Sequence, residues 1–377
     1  MTARILSIGT AVPPTVITQD RIRDFFVQQP DADRLTQRLI RATFDAAQIE
    51  RRHTVLPELG EAGGDGIFID SRGALRSPGT ALRNSEYIRQ APELSRQAAQ
   101  TALDEAGVAA SEITHVVTAS CTGCFAPGPD FRIVRDLGLA DSTERYHLGF
   151  IGCAAAFPAL RAAERFCVAQ PDAVVLVVCT ELCSLHIRPS SSPDQIVASS
   201  VFADGSAAAV VTADSAGRAG LDLDRFATTL TSEGEQDMAW TIGDDGFEMV
   251  LTGEVPRIIG REIRGAVDGF LDGTAPTAWA VHPGGRSILD RVESGLDLAP
   301  DALRTSRAVL REYGNMSSAT VMFILREMLR DDAVAAGARI AGLAFGPGLT
   351  VESALLTKRT AVVGAAVGDD RHLAVAG

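Results

Sequence analysis

Cys153, His282 and Asn315 stand where strand patterning gives way to loop or helix, and cysteine with histidine is the general make-up of an activated thiol. Cys153 follows Phe150-Ile-Gly and opens an alanine-rich helical stretch. At a helix N-terminus the unpaired backbone N–H groups and the helix dipole favour negative charge. A thiol there is more easily ionised, and the thiolate is its nucleophilic form. The plainer reading is a buried thiol acting as a small hydrophobe. His282 ends a strand in Trp279-Ala-Val-His-Pro-Gly-Gly, a loop position that faces a pocket or is satisfied by backbone groups. Asn315, in Tyr313-Gly-Asn-Met-Ser-Ser, is by itself an ordinary helix N-cap. Two further pairs, Cys121-Thr-Gly-Cys124 and Cys179-Thr-Glu-Leu-Cys183, have the short spacing of a zinc site or a redox dithiol. Cys179 ends an apolar strand, however, whereas structural zinc cysteines sit on turns.

The elements that must position these residues alternate between strand and helix, the signature of an α/β fold. Residues 3–9 read as a first strand, and helical patterning runs from Asp20 to Gln48. Glu58–Thr80 is a polar, glycine-rich loop before a long helix at Ser85–Ala106. Strands follow at Ile113–Ala119, Tyr146–Phe150 and Ala173–Cys179, and helices at Phe131–Leu137 and Ala154–Cys167. Phe202–Ala213 is a strand broken at Asp204-Gly205. The second half gives a helix at Val255–Leu271, a strand at Thr277–Val281, and helices at Ser287–Ser294, Asp301–Tyr313 and Asn315–Leu329. Closing strands lie at Ile340–Phe345 and Leu349–Leu356, around Gly346-Pro347-Gly348.

The halves, 1–215 and 216–377, repeat one order of parts. A strand ends at Cys121 and a helix begins at Cys153, 32 residues on (153 − 121); a strand ends at His282 and a helix begins at Asn315, 33 residues on (315 − 282). Such self-similarity indicates duplication. It sets Cys153, His282 and Asn315 at facing helix starts and strand ends of one compact, five-layered body.

The 377 residues, 46% hydrophobic, are ample for a large core. A net charge of −13 disfavours nucleic acid as a partner. No uncharged apolar run reaches the roughly 18 residues of a membrane span, and the N-terminus lacks a signal-peptide layout. Six cysteines in this length are too few for a disulfide scaffold, so we expect a cytoplasmic protein with reduced thiols.

Three stretches carry a family resemblance. Trp279-Ala-Val-His-Pro-Gly-Gly-Arg-Ser-Ile-Leu-Asp resembles the histidine loop of type III polyketide synthases, the chalcone synthase superfamily. Glu312-Tyr-Gly-Asn-Met-Ser-Ser-Ala-Thr-Val-Met-Phe-Ile-Leu resembles their asparagine helix, and Ala344-Phe-Gly-Pro-Gly-Leu-Thr-Val-Glu their glycine-rich C-terminal signature. The resemblance runs from Ile5 to Leu356. It implies a thiolase-type αβαβα fold, a homodimer, and a Cys153–His282–Asn315 triad. The substrates implied are an acyl-CoA starter and malonyl-CoA, with no further cofactor and no metal. An acyl group would pass from CoA to the Cys153 thiolate, paired with His282. Malonyl-CoA would then lose carbon dioxide, with His282 and Asn315 as oxyanion donors.

The same resemblance places Phe202 and Phe247 at the gate between CoA tunnel and cavity. It places Cys121, Ala126, Cys183, His186, Ser317, Phe345, Gly346 and Pro347 on the cavity wall. Gly284, Gly285 and Ser287 fall beside the CoA arm; the basic residues that hold CoA phosphates in plant members have no clean counterpart, and Arg51, with Arg38, Arg41 and Arg52, is a nearby substitute. Ala126, on a loop that in the family lines the pocket and reaches toward the partner subunit, stands where plant members carry a methionine, and Cys121, Cys183, His186 and Ser317 where they often have threonine or serine. These departures suggest a bacterial-type enzyme making alkylpyrones, alkylresorcinols or related products. The competing readings are a ketoacyl synthase that takes malonyl from a carrier protein, and a non-catalytic partner subunit of the same fold.

Overall fold

Apolar runs that bury both faces form the middle of the structure. The computed structural model describes residues 2–60 and 63–361, so 362–377 of the second half lie outside the described residues. Its first half contains β1 (Arg4–Ala11), β2 (Thr15–Thr18), α1 (Gln19–Val27), α2 (Arg34–Ala46), β3 (Arg51–Thr54) and α3 (Thr80–Ala106). It continues with β4 (His115–Ser120), α4 (Pro129–Leu137), β5 (Glu144–Gly149), α5 (Ala156–Ala169), β6 (Val174–Leu182), α6 (Pro193–Val201) and β7 (Asp204–Thr212). The second half contains β8 (Gly220–Leu230), β9 (Met238–Gly243), β10 (Gly246–Leu251), α7 (Val255–Leu271), β11 (Ala278–Val281) and α8 (Arg286–Gly295). It ends with α9 (Arg304–Tyr313), α10 (Ser318–Arg330), β12 (Arg339–Gly346) and β13 (Thr350–Arg359).

The duplication is visible in strand pairing. In the first half β1 pairs antiparallel with β7, β7 antiparallel with β6, and β6 parallel with β4. In the second, β8 pairs antiparallel with β13, β13 antiparallel with β12, and β12 parallel with β11. Among the described residues only Arg4↔Asp222 and Ile5↔Leu221 join the two sets, β1 to β8. Asp222 holds that seam by accepting from Arg4 and Arg359, each at 2.6 Å.

Five layers result. Helix α3 covers β1, β7 and β6 from outside, and α7 covers β8 and β13. Between the sheets lie α5 and α10, which touch each other and strands of both halves. In α10 Ser318 to Leu325 are buried without a break, as a central helix requires, and α5 buries Ala156 to Leu160.

The structure corrects several expectations. The helix expected at 20–48 is two, because Pro30 disfavours helix at Gln29 and Asp33 caps α2 by accepting from Thr36 N at 2.8 Å. Asp204-Gly205 does not break β7; Asp204 is buried and accepts from Val55 N and Ser184 N, each at 2.8 Å. Helix α10 starts at Ser318, not Asn315, because Asn315 pairs with Phe202 and Ser317 has φ +47°. The hairpin β9–β10 and helix α6 went unread, although Asp245-Gly246 between apolar runs is a hairpin signal and Ser192-Pro193 a helix start.

Candidate active site

Cys153 sits on a sharp strand-to-helix turn. β5 ends at Gly149, and a single 3₁₀ turn over Gly152–Ala154 precedes α5. Gly152 has φ +67°, and a Cβ there would lie 2.6 Å from Pro347 Cδ, so both conformation and space select glycine before the thiol. Asn315 reaches the same place from the other half. Its backbone N–H donates to Val201 O at 2.8 Å, and its carbonyl accepts from Ala203 N at 2.9 Å. Its amide orientation is set on both sides: Oδ1 accepts from Ser317 N at 2.8 Å, and Nδ2 donates to Gly284 O at 3.2 Å. Cys153 Sγ lies 4.0 Å from Asn315 Oδ1.

His282 leaves the end of β11 with its N–H bonded to Leu343 O at 2.8 Å. Its ring is buried, and neither ring nitrogen has a partner among the described residues. Buried polar atoms left open in this way are rare and ask for a ligand or a function. Cys153, His282 and Asn315 all line one cavity of about 500 Å³.

Burial governs the charge state of this group. It pushes the Cys153 thiol up to about 11, against the lowering effect of hydrogen bonds with Ser317 and Asn315. It pulls His282 down to about 3. Loss of solvation thus works against the easily ionised thiol expected at a helix start. Both shifts favour the neutral forms, thiol and imidazole. Alkylation of Cys153 by iodoacetamide is accordingly expected to keep accelerating as pH rises from 7 to 10. A rate already level by pH 7 would show a thiolate at neutrality and contradict this.

The cavity wall is built mostly from residues that the sequence indicated. Cys121, Cys183, Phe202, Phe345, Pro347 and Ser317 line it, with Cys121 Sγ 3.4 Å from Ser317 Oγ. Gly346 is not on this wall, and a Cβ there would lie 2.7 Å from Ile151 O and 3.1 Å from Ala154 Cβ. Phe247 is buried on the wall and stacks on His186 at 4.4 Å between ring centroids. His186 has no nitrogen to spare for chemistry. Nε2–H donates to Thr122 O at 2.8 Å and Nδ1 accepts from Phe247 N at 3.1 Å, so it is a neutral tie between two walls.

The paired cysteines do not form a site together. Cys121 is in the cavity wall, Cys124 is exposed and Cys179 is buried in β6. Among the described residues no group of histidine, cysteine and carboxylate side chains is placed to hold a metal ion.

Residues 1–215 match the family described as "Chalcone and stilbene synthases, N-terminal domain", and residues 222–360 match its C-terminal domain. The chain belongs to the chalcone and stilbene synthase family. "Probable polyketide synthase 1" of Dictyostelium discoideum is 32% identical over 365 residues, 93% of this chain but only 11% of that protein's length. PKS-I from the brown alga Ectocarpus siliculosus superposes with a TM-score of 0.88 at 28% identity, covering 95% of this chain and 98% of that one. The C-terminal type III polyketide synthase domain of Steely1 from Dictyostelium gives 0.88 at 30% identity, covering 95% and 99%. The 1,3,6,8-tetrahydroxynaphthalene synthase of Streptomyces coelicolor A3(2), a bacterial type III polyketide synthase, gives 0.84 at 30%, covering 95% and 100%. The fold is thus the thiolase-type fold of type III polyketide synthases, a family of CoA-dependent condensing transferases.

Ala126 is exposed and lines no part of this chain's own cavity, as fits a loop that the resemblance sends toward a partner subunit. Arg51 is exposed and is not among the residues of the mouth, its guanidinium paired with Glu312. Gly284, Gly285 and Ser287 do line the mouth. Arg41 is exposed and 3.7 Å from Asp24. Arg38 is also exposed, one turn before Ala42, a residue of the mouth.

Three residues at or behind the wall were not indicated by the sequence. Arg286, immediately after the paired glycines, lines the mouth with Nε 3.1 Å from Asp290. Trp240 lines the wall and donates from Nε1 to Cys121 O at 2.5 Å. Glu181 is fully buried behind the wall, accepting from Thr122 Oγ1 at 2.9 Å, Cys121 N at 3.0 Å and Ser318 Oγ at 2.5 Å. Burial holds its carboxyl above the ordinary range. A glutamate inside an apolar strand was a legible signal, since such a group must be hydrogen-bonded to be tolerated. No helix of the described residues is long and apolar enough to cross a membrane.

Proposed function

We propose that this chain loads an acyl group from a CoA thioester onto Cys153 and extends it by decarboxylative condensation with malonyl-CoA. What carries the reading is the meeting of Cys153, Asn315 and the unpartnered imidazole of His282 in one cavity. In loading, His282 takes the thiol proton, the thiolate attacks the thioester carbonyl, and CoA leaves with that proton. Malonyl-CoA then enters. Its C–C bond to the carboxylate breaks, carbon dioxide leaves, and the electron pair becomes a thioester enolate. The developing oxyanion meets an N–H of His282 and the second Nδ2 hydrogen of Asn315, the first being held by Gly284 O. The enolate carbon attacks the acyl–Cys153 carbonyl and the thiolate leaves. The product is a CoA ester two carbons longer, ready to reload or cyclise. The steps call on nothing beyond the two thioesters and this chain's side chains.

The finer reading is a long apolar starter, leading to an alkylpyrone or alkylresorcinol. Met238, Trp240, Met249 and Leu251 of the hairpin line the cavity beyond the triad and suit an alkyl chain. Arg38 and Arg286, not Arg51, would hold the CoA phosphates, and Phe202 with Phe247 would gate the passage. Incubation with malonyl-CoA and acyl-CoA starters of rising length, followed by mass spectrometry, tests this. Two-carbon additions to long starters are expected; no turnover of malonyl-CoA with any starter sinks the reading.

We also propose a homodimer, acting in the cytoplasm with reduced thiols. β5 is the outer strand of its sheet, largely exposed along its length, with Tyr146 and Phe150 uncovered. An open strand edge of this kind is usually protected by a partner. Sedimentation is expected to give a dimer, and a monomer at micromolar concentration would count against it.

A further inference from the structure

We infer that Arg52 is a positioning residue for the oxyanion site: its guanidinium holds the Phe202 backbone that in turn holds Asn315. The inference rests on the proposed role of Asn315. Arg52 lies on β3, 6% exposed, far from the exposure expected of a phosphate ligand. Its Nη1 donates to two carbonyls at the end of α6, Ser199 O and Phe202 O, each at 2.8 Å. Those carbonyls flank the segment that fixes Asn315. Val201 O accepts from Asn315 N at 2.8 Å, and Ala203 N donates to Asn315 O at 2.9 Å.

The stem of Arg52 acts on the other side of the same residue. Gly314 has φ +70°, and a Cβ there would lie 2.9 Å from Arg52 Cγ and 3.0 Å from Val201 O. The residue before Asn315 is therefore pressed between Arg52 and α6. The Phe44 ring lies under the guanidinium at 5.8 Å, which fixes the plane of the fork. Nη2 has no partner among the described residues. Burial lowers the group to about 10, and Asp204 opposes that shift, so the fork is charged at neutral pH.

A buried arginine whose hydrogen bonds go to backbone carbonyls, not to a carboxylate, is costly to place. Here those bonds go to the one segment that sets both the gate residue Phe202 and the donor Asn315. Lysine would not replace it, since one ammonium on a flexible stem lacks the planar fork. Misplacing a catalytic group by 1 Å can lower a rate by as much as 10²-fold.

The test is a double-mutant cycle read by malonyl-CoA decarboxylation. Arg52→Met is expected to lower the rate about 10-fold or more. Asn315→Ala is expected to lower it about 10²- to 10³-fold. The double variant is expected to match Asn315→Ala within about 2-fold, because a residue that acts through Asn315 has nothing left to position. Should Arg52→Met not fold, Arg52→Lys carries the same cycle. Losses that multiply in the double variant would overturn this inference alone, as would an unchanged rate in Arg52→Met. An unchanged rate in Asn315→Ala would overturn the reading of the site, and this inference with it.

Discussion

Cys153→Ala is expected to reduce condensation product by at least about 10⁴-fold, while malonyl-CoA decarboxylation stays within about 10-fold of the parent. The split follows from which groups each step uses. Condensation passes through an acyl–Cys153 thioester, and no other thiol on the wall takes that place. Cys121 is held against Glu181 and Ser317, at 3.5 and 3.4 Å. Burial and the nearby Glu181 carboxyl raise the Cys121 and Cys183 thiols well above the usual range. Decarboxylation needs only the donors at the developing enolate oxygen, His282 and Asn315. Product mass spectrometry and carbon dioxide release on the same sample check both parts. Condensation persisting above about one hundredth of the parent rate would move the nucleophile elsewhere.

Asn315→Asp is the second, and sharper than truncation to alanine. The carboxylate keeps the shape and can still accept from Ser317 N, the contact now made at 2.8 Å by Oδ1. It loses the donor that faces Gly284 O, and sets a negative charge where enolate charge develops. We expect decarboxylation to fall about 10²- to 10³-fold, no less than for alanine, since an oxyanion donor is worth about that factor. Acyl transfer to Cys153, followed by intact-protein mass, is expected to fall less. Decarboxylation equal to the parent in Asn315→Asp would remove the amide from the oxyanion site.

The two tests differ in how visible their residues were beforehand. Cys153 and His282 announce themselves by residue type at a strand end, and the matched spacings of 32 and 33 residues ally Asn315 with them. The α/β order of elements, the duplication and the three family stretches were equally legible. These are properties of periodicity and local chemistry, which a chain carries along its length.

Other features were set by distance in sequence. Arg52 reads as a surface cation suited to phosphate until α6, 147 and 150 residues away at Ser199 and Phe202, closes over it. Arg51, its neighbour, faces outward to Glu312 instead, because alternate side chains of a strand point to opposite faces. His186 reads as a cavity-wall residue, and only the fold shows that Thr122 O and Phe247 N take both its nitrogens.

The charge state of the site was the largest reversal. From the sequence, Cys153 begins a helix and inherits the pull of its dipole. In the folded chain the thiol stands between two sheets, and burial raises it to about 11 while lowering His282 to about 3. What the sequence by itself determined is which residues meet and what family chemistry they belong to. What the tertiary structure decided is the direction in which burial shifts their protonation, their backbone supports and which arginines are buried. Desolvation and long-range hydrogen bonds depend on what lies across the fold, and no local pattern encodes them.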